Sequence, residues 1–436
     1  MMFGALRIYG EPAVRRMLPL GFAAGLPYLL VFGTMSYRLR EAGVDLTTIG
    51  FLNAVPWVYT IKWAWAPLVD RAPLPWLTRR FGRRRAWLLL SQCAVAAGLV
   101  SMAQIDPQAR LWPFVAFAVL TAFAAATQDI ALDAYRIESA SSDRQAALAA
   151  AYQTGYRCAM IWAGAGALAI AAVAAGGEPG YRHDAWRISY FAMAASMAIG
   201  LVTVLRVPEP RVPDAADIGS GHEPAFARVR AAVVGPLSDF FNRYGWRALP
   251  ILAFVSTFRI CDIVLAAMAS PFYHDMGFSK AEVAAVSSVN GVAMFLAGAL
   301  AGGMIAARVG LRPVLIAGAA LSPFSMLPFA WLSTRGHDLG LLVGAVSAEN
   351  FVGGAASSAF IAYLSSLTSA SFTATQYALF SSLMLLLPKS IALFSGLAVD
   401  RFGYPAYFVG TALLGLPALA LAGWAARLAA RPAPAA

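Results

Sequence analysis

What most constrains this chain is a recurring length. Apolar stretches of about 20 residues or more follow one another from end to end, and at about 1.5 Å of rise per residue each crosses a hydrocarbon layer of about 30 Å as a helix. Alternation of apolar and polar residues is absent, which excludes a barrel. Hydrophobic residues fill 60% of the 436 positions and charged residues 13%, with a mean hydropathy of +0.65. Soluble globular domains do not have that balance, so the class is an all-α integral membrane protein.

Spans are expected near 17–39, 46–69, 86–105, 111–135, 146–175, 185–205, 249–273, 281–307, 313–332, 339–364, 374–398 and 404–426, about 12 transmembrane helices. An even count puts both termini on one side. The first run is too long for a signal-peptide core and lacks a small-residue exit, so it is expected to stay as the first helix. Cys93, Cys158 and Cys261 fall inside spans without metal or disulfide spacing. They are expected to be small core residues.

The net charge of +11 suggests nucleic acid until its distribution is read. About 21 basic residues lie in the loops on the side of the termini and about 8 opposite, which predicts cytoplasmic termini and no nucleic-acid partner. The densest cluster, "RRFGRRR" at 79–85, fits a topogenic or anionic-lipid role. The longest polar segment divides the spans six and six. The expected organisation is an N-terminal bundle over 1–206, a cytoplasmic linker over 207–248 and a C-terminal bundle over 249–436. Within the linker, "FARVRAAVVGPLSDFF" is amphipathic enough to lie along the membrane surface.

Two six-helix bundles so joined have the shape of a major facilitator fold. A repeat supports it: "PLVDRAPLPWLTRRFGRRRAW" after span two, "AGGMIAARVGLRPVL" after span eight and "GLAVDRFGYPAYF" after span eleven each place a basic, Gly-containing turn at a helix end. This resembles the facilitator superfamily's loop motif, which implies a cytoplasmic latch made by Asp70, Arg71 and Arg83, with Arg136 and Glu138 at the exit of span four. The second copy lacks the acid. The small-residue runs 164–169 and 298–303 are expected to be close-packing or rocking surfaces.

An ionisable group inside a bilayer costs several kcal/mol unless paired or hydrated. Lys62, Asp129, Asp133, Arg157, Arg259, Asp262, Glu349 and Lys389 all fall inside spans. Asp129 and Asp133 are i and i+4, so both carboxylates share one helix face. Two ionised acids so placed repel, and one is expected to titrate near neutrality unless Lys62 or Arg157 intervenes from a neighbouring helix. Arg259 and Asp262, i and i+3, can pair within one helix. Glu349 and Lys389 have no local partner and must pair across helices or face a wet cavity. Static inter-helix salt bridges are the competing reading for every one of these charges. Gln128, Asn350 and Gln376 add polar groups within spans, and Trp63 and Tyr156 belong to an aromatic set suited to stacking on sugar rings or to anchoring at the lipid interface.

No phosphate-binding loop is present, and His183, His222, His274 and His337 have neither zinc nor triad spacing. No metal, cofactor or enzymatic activity is expected, and secondary transport remains as the engine.

The segments "GFAAGLPYLL", "KWAWAPLVDR", "FGRRRAWLL", "TQDIALDAYRIE", "TGYR", "PLSDFF", "ENFVGGAASSAFIAYL" and "TATQYALFSSL" follow one another in the order seen in the AmpG-type muropeptide permeases, which the chain resembles over about residues 5–420. The resemblance implies proton-driven import of anhydromuropeptides across a bacterial inner membrane for cell-wall recycling. A monomer acting on a sugar-peptide and a proton is expected, with no spans beyond the twelfth. By the same likeness Asp129, Asp133, Glu349, Lys62, Arg157, Asp262, Asn350, Gln376 and Lys389 are expected to line the central path. The residues themselves make Asp129, Asp133 and Glu349 candidate proton carriers and add Gln128, Tyr156, Trp63 and Arg259 to the candidates for substrate contact. Two alternatives stay open: facilitator transport of another solute such as an acyl-CoA, siderophore or drug-like compound, and a non-transporting membrane sensor.

Overall fold

A computed structural model describes residues 8–44, 57–176, 180–210, 225–278 and 280–429. Among them ten helical stretches are long and apolar enough to cross a membrane. In span order they include Pro12–Glu41 (one), Arg83–Gln104 (three), Leu111–Glu138 (four), Gln145–Ala174 (five), His183–Arg206 (six), Ala285–Val309 (eight), Leu311–Arg335 (nine) and Leu339–Ser366 (ten). Span seven is built from Ala248–Thr257 and Ile260–Asp275. Residues 57–71 and Thr373–Ala392 hold the places of spans two and eleven, and span twelve follows a break at Gly403. The first part of span two, up to residue 56, lies outside the described residues.

The repeated basic turn is a repeat of backbone geometry. Gly82, Gly310 and Gly403 have φ/ψ of 87/169°, 86/168° and 75/167°. That region is open essentially to glycine alone, so the chain can stop one helix and start the next in two residues only where glycine stands. Elsewhere glycine brings backbones together. A Cβ at Gly155 would lie 1.9 Å from the Leu18 carbonyl oxygen, and one at Gly298 would lie 2.0 Å from that of Phe351. Spans one and five, and eight and ten, therefore touch backbone to backbone.

Among the described residues the buried apolar side chains form four cores. At the end away from the termini, one core draws only on spans one to six and another only on spans seven to twelve. At the terminus end the cores are shared: Ala374 and Ala378 of span eleven join the first half's cluster, and Ala146 of span five joins the second's. The two halves are packed into each other at one end and separately packed at the other.

The linker helix Ala225–Tyr244 is present. Phe240 is buried against Phe380, ring centroids 5.1 Å apart, while Val234, Leu237 and Phe241 stay exposed on another face. One side docks on span eleven and the other keeps an apolar stripe. Of the cysteines only Cys261 is buried, its thiol 3.4 Å from the Thr411 carbonyl; Cys93 and Cys158 are exposed, correcting the expectation that all three are core residues. In a hydrocarbon solvent a small apolar thiol has no drive to turn inward, so span membership does not fix the face.

Candidate functional site

Span two breaks at mid-depth. Trp57–Thr60 ends in a 3₁₀ turn, Lys62–Ala64, before Ala66–Arg71 resumes, with Pro67 at the restart. The turn buries Lys62, whose Nζ lies 3.8 Å from Asp133 Oδ2, and leaves Trp63 exposed. Asp133 Oδ1 is 3.5 Å from Arg136 Nη2. Asp133 thus sits between two cations. Asp129, one turn away on the same face, is different: its Oδ1 is buried without a hydrogen-bond partner. Lys62, Tyr59, Tyr152 and Tyr156 lie within electrostatic range of its carboxyl, but none of them is bonded to it. Gln128 is fully buried, and both of its amide atoms also lack partners.

A second charged group faces it from the other half. Arg259 donates to Asp262 Oδ2 at 2.7 Å and to Ser357 Oγ at 2.8 Å, while Asn350 Nδ2 donates to Glu349 Oε2 at 2.7 Å. A Cβ at Gly353 would meet Glu349 Oε1 at 3.8 Å and Asp262 Oδ2 at 3.9 Å, so the two acids converge over a position without a side chain. Arg157 joins the halves at this depth, its guanidinium 4.2 Å from the centroid of the Phe295 ring of span eight. It goes to Phe295 rather than to the Asp129–Asp133 pair, where Lys62 supplies the cation. Lys389 follows Pro388 in span eleven, half-buried and without a partner among the described residues.

Two sequence-based candidates lie elsewhere. Trp63 does not share the buried side of Lys62, because consecutive residues of a 3₁₀ turn point about 120° apart. Gln376 is fully buried at the terminus end, not on the path. Its Nε2 donates to the Pro236 carbonyl at 2.9 Å and to Asp239 Oδ2 at 2.8 Å, and its Oε1 accepts from Arg243 at 3.1 Å and from the Ser369 amide at 2.7 Å. Every polar atom of its amide is committed to the linker helix and the turn before span eleven. Gln376→Leu is expected to speed amide hydrogen exchange over 234–244 by up to about 100-fold, since its three bonds to the linker helix are worth about 1 kcal/mol each; unchanged exchange there would show that Phe240 and the Arg243–Leu367 bond hold the helix without it.

The terminus end carries the closure. Asp70 accepts from the Ala374 amide at 3.0 Å, the Thr375 amide at 2.6 Å, Thr375 Oγ1 at 2.6 Å and Arg84 Nη2 at 2.9 Å. One carboxylate therefore caps the start of span eleven from the opposite half. Arg136 donates to Ser365 Oγ at 3.0 Å and lies 5.1 Å from the Tyr377 ring centroid, and Arg71 lies 5.2 Å from that of Phe372. Arg84, not Arg83, is the arginine bound to Asp70 and Glu138, at 2.9 and 2.6 Å. With Gly82 as the cap, the second helical residue turns inward and the first does not. Sequence reading also missed Glu209, which accepts from the Arg84 and Arg85 amides at 2.7 and 3.0 Å. Burial raises its carboxyl while the two amides oppose that shift. The signal available for it was an acid in the rigid "PEP" that follows span six. Among the described residues, the hydrogen bonds joining the two halves are all at this end.

A helical bundle with charged groups of both signs at mid-depth, latched at one end and divided at the other, is the architecture of a membrane transporter rather than an enzyme. The profile of the Major Facilitator Superfamily matches residues 17–264. Along 95% of its length the chain is 31% identical to "Putative transporter AmpG 4" of Rickettsia conorii, covering 96% of that protein, and 32% identical to "Anhydromuropeptide permease" of Escherichia coli K12, covering 80% of it. Among solved structures, the E. coli fucose:proton symporter FucP aligns with a TM-score of 0.66 at 15% identity over 96% of this chain and 98% of that one. The proton:xylose symporter XylE aligns at 0.64 and 14% identity over 94% of each. These two share the fold. The chain belongs to the AmpG family of the major facilitator superfamily.

Proposed function

We propose that the chain imports anhydromuropeptides across a bacterial inner membrane by proton symport, as a monomer with both termini in the cytoplasm. Spans one to six and seven to twelve are the two moving bodies, and the latched state is the one closed to the cytoplasm. The observation that carries this reading is the Asp129 carboxyl, buried, with one oxygen unpartnered, one helical turn from an acid already held between two cations. A group so placed can take up and release a proton without breaking a salt bridge. Asp133, held by Lys62 and Arg136, is the counter-charge that keeps those cations inside the membrane. Glu349 and Asp262, with Arg157 and Arg259 beside them, offer both signs to a zwitterionic sugar-peptide, and Tyr156 offers a ring face.

The relative named as an anhydromuropeptide permease and the basic residues on the terminus side support the substrate and the orientation. Expressed in a strain lacking its own permease, the chain is expected to restore uptake of labelled anhydromuropeptide, and a protonophore is expected to abolish it. Uptake indifferent to the protonophore removes the coupling; absence of uptake with normal abundance removes the substrate and leaves another solute.

A further inference from the structure

On the flank where the two halves meet, spans one and five and span eight enclose a groove of about 570 Å³, within the ~300–1,000 Å³ range of ligand clefts. Its walls are aliphatic, from Val14, Leu18, Ala151, Leu300 and Met304. The one hydroxyl deep in it, that of Thr154, is spent on the Ala150 carbonyl at 2.8 Å. Leu18 is 48% exposed, so the groove opens sideways rather than into the central path. At its terminus end stands Arg15, exposed, whose side chain has no partner among the described residues. The acid one turn earlier, Glu11, is taken by Arg144 at 3.0 Å. Tyr9 closes that end by donating to the Leu300 carbonyl at 2.9 Å, in a gap left by the missing side chain of Gly303.

We propose that this groove holds one anionic phospholipid, its acyl chain along Leu18, Leu300 and Met304 and its phosphate on Arg15. The chemistry of the site is split as a lipid is split: an aliphatic trough at the depth of the chains, with a single unpaired cation at the depth of the headgroup. Because the trough is walled by both halves, the lipid bridges them on the side where they are latched and favours that closed state. Only the assignment to the cytoplasmic leaflet rests on the topology proposed above.

The test is native mass spectrometry of the full chain released from micelles containing equal phosphatidylglycerol and phosphatidylcholine, which needs neither transport nor orientation. Phosphatidylglycerol is expected to be retained selectively. Arg15→Gln is expected to lower its retention about fivefold, as for one basic contact to an anionic surface. Arg15→Lys is expected to keep it, and Met304→Trp, which fills the trough, to remove it with Arg15 intact. Equal retention of the two lipids, an Arg15→Gln protein that still prefers phosphatidylglycerol, or displacement of lipid by inorganic phosphate alone would overturn the proposal. Uptake lost in cells while selective retention persists leaves it standing and indicts the transport reading instead.

Discussion

Asp129→Asn is expected to abolish proton-driven accumulation while sparing exchange of substrate across the membrane. The proton's share of the driving force is about 2.3 kcal/mol per 100 mV, or roughly a 50-fold concentration ratio, and all of it is forfeited when the titrating group is gone. Exchange survives because the amide keeps the volume and polarity of the carboxyl and disturbs no ion pair: the Asp129 oxygen without a partner leaves none behind. Asp133→Asn should behave differently. It strips Lys62 and Arg136 of the acid at 3.8 and 3.5 Å and leaves two buried cations. That variant is expected to lose abundance or thermal stability, because breaking a buried pair costs about 3–5 kcal/mol. Counterflow and driven uptake measured side by side on both variants separate the roles. If Asp129→Asn still concentrates substrate, the proton travels elsewhere, with Glu349 next in line.

Asp70→Ala is expected to release the closed end. The substitution removes the carboxylate that ties two amides and a hydroxyl of span eleven to the Arg84 guanidinium, and it leaves Arg84 with Glu138 and the Val69 carbonyl. A loss of about 3–5 kcal/mol corresponds to a shift of roughly 10²–10⁴-fold in the opening equilibrium, partly offset where water reaches the freed groups. With the exposed Cys93 and Cys158 replaced by serine, spin labels at Ser141→Cys and Ser366→Cys, on opposite halves at the terminus end, should report a longer and broader distance in Asp70→Ala. Thr375→Val deletes one hydroxyl and should shift the distribution only slightly, by about 1 kcal/mol. Equal distances in all three proteins would mean that the shared cores and Arg136 hold the end closed without Asp70.

Much of this architecture was legible in the sequence for physical reasons. Span length is set by the bilayer, so the twelve places could be read from apolar run length. The pairing of Arg259 with Asp262 follows from their i, i+3 spacing, although Arg259 stands in the break between Thr257 and Ile260 rather than inside one helix as expected, and the basic turn repeats because its geometry admits only glycine. What could not be read were directions. Arg83 and Arg84 differ by one helical step, and only the cap at Gly82 decides which reaches Asp70. Gln376 has the look of a cavity residue, a lone amide near an apolar run, but a linker helix more than a hundred residues earlier in the chain claims all its polar atoms. Trp63 faces outward, which fits the anchoring alternative rather than the stacking one, because the break in span two replaces helical phase with a 3₁₀ turn. Tyr9 contacts a carbonyl almost three hundred positions away, and no local pattern marks such a contact.

The proton claim meets its most direct measurement in proteoliposomes loaded with a pH-sensitive dye and held without a membrane potential. Adding anhydromuropeptide outside is expected to acidify the lumen at a rate that saturates with substrate, and the signal should vanish in Asp129→Asn while labelled substrate still equilibrates. Substrate entry by the native chain with no change in lumenal pH would contradict proton symport.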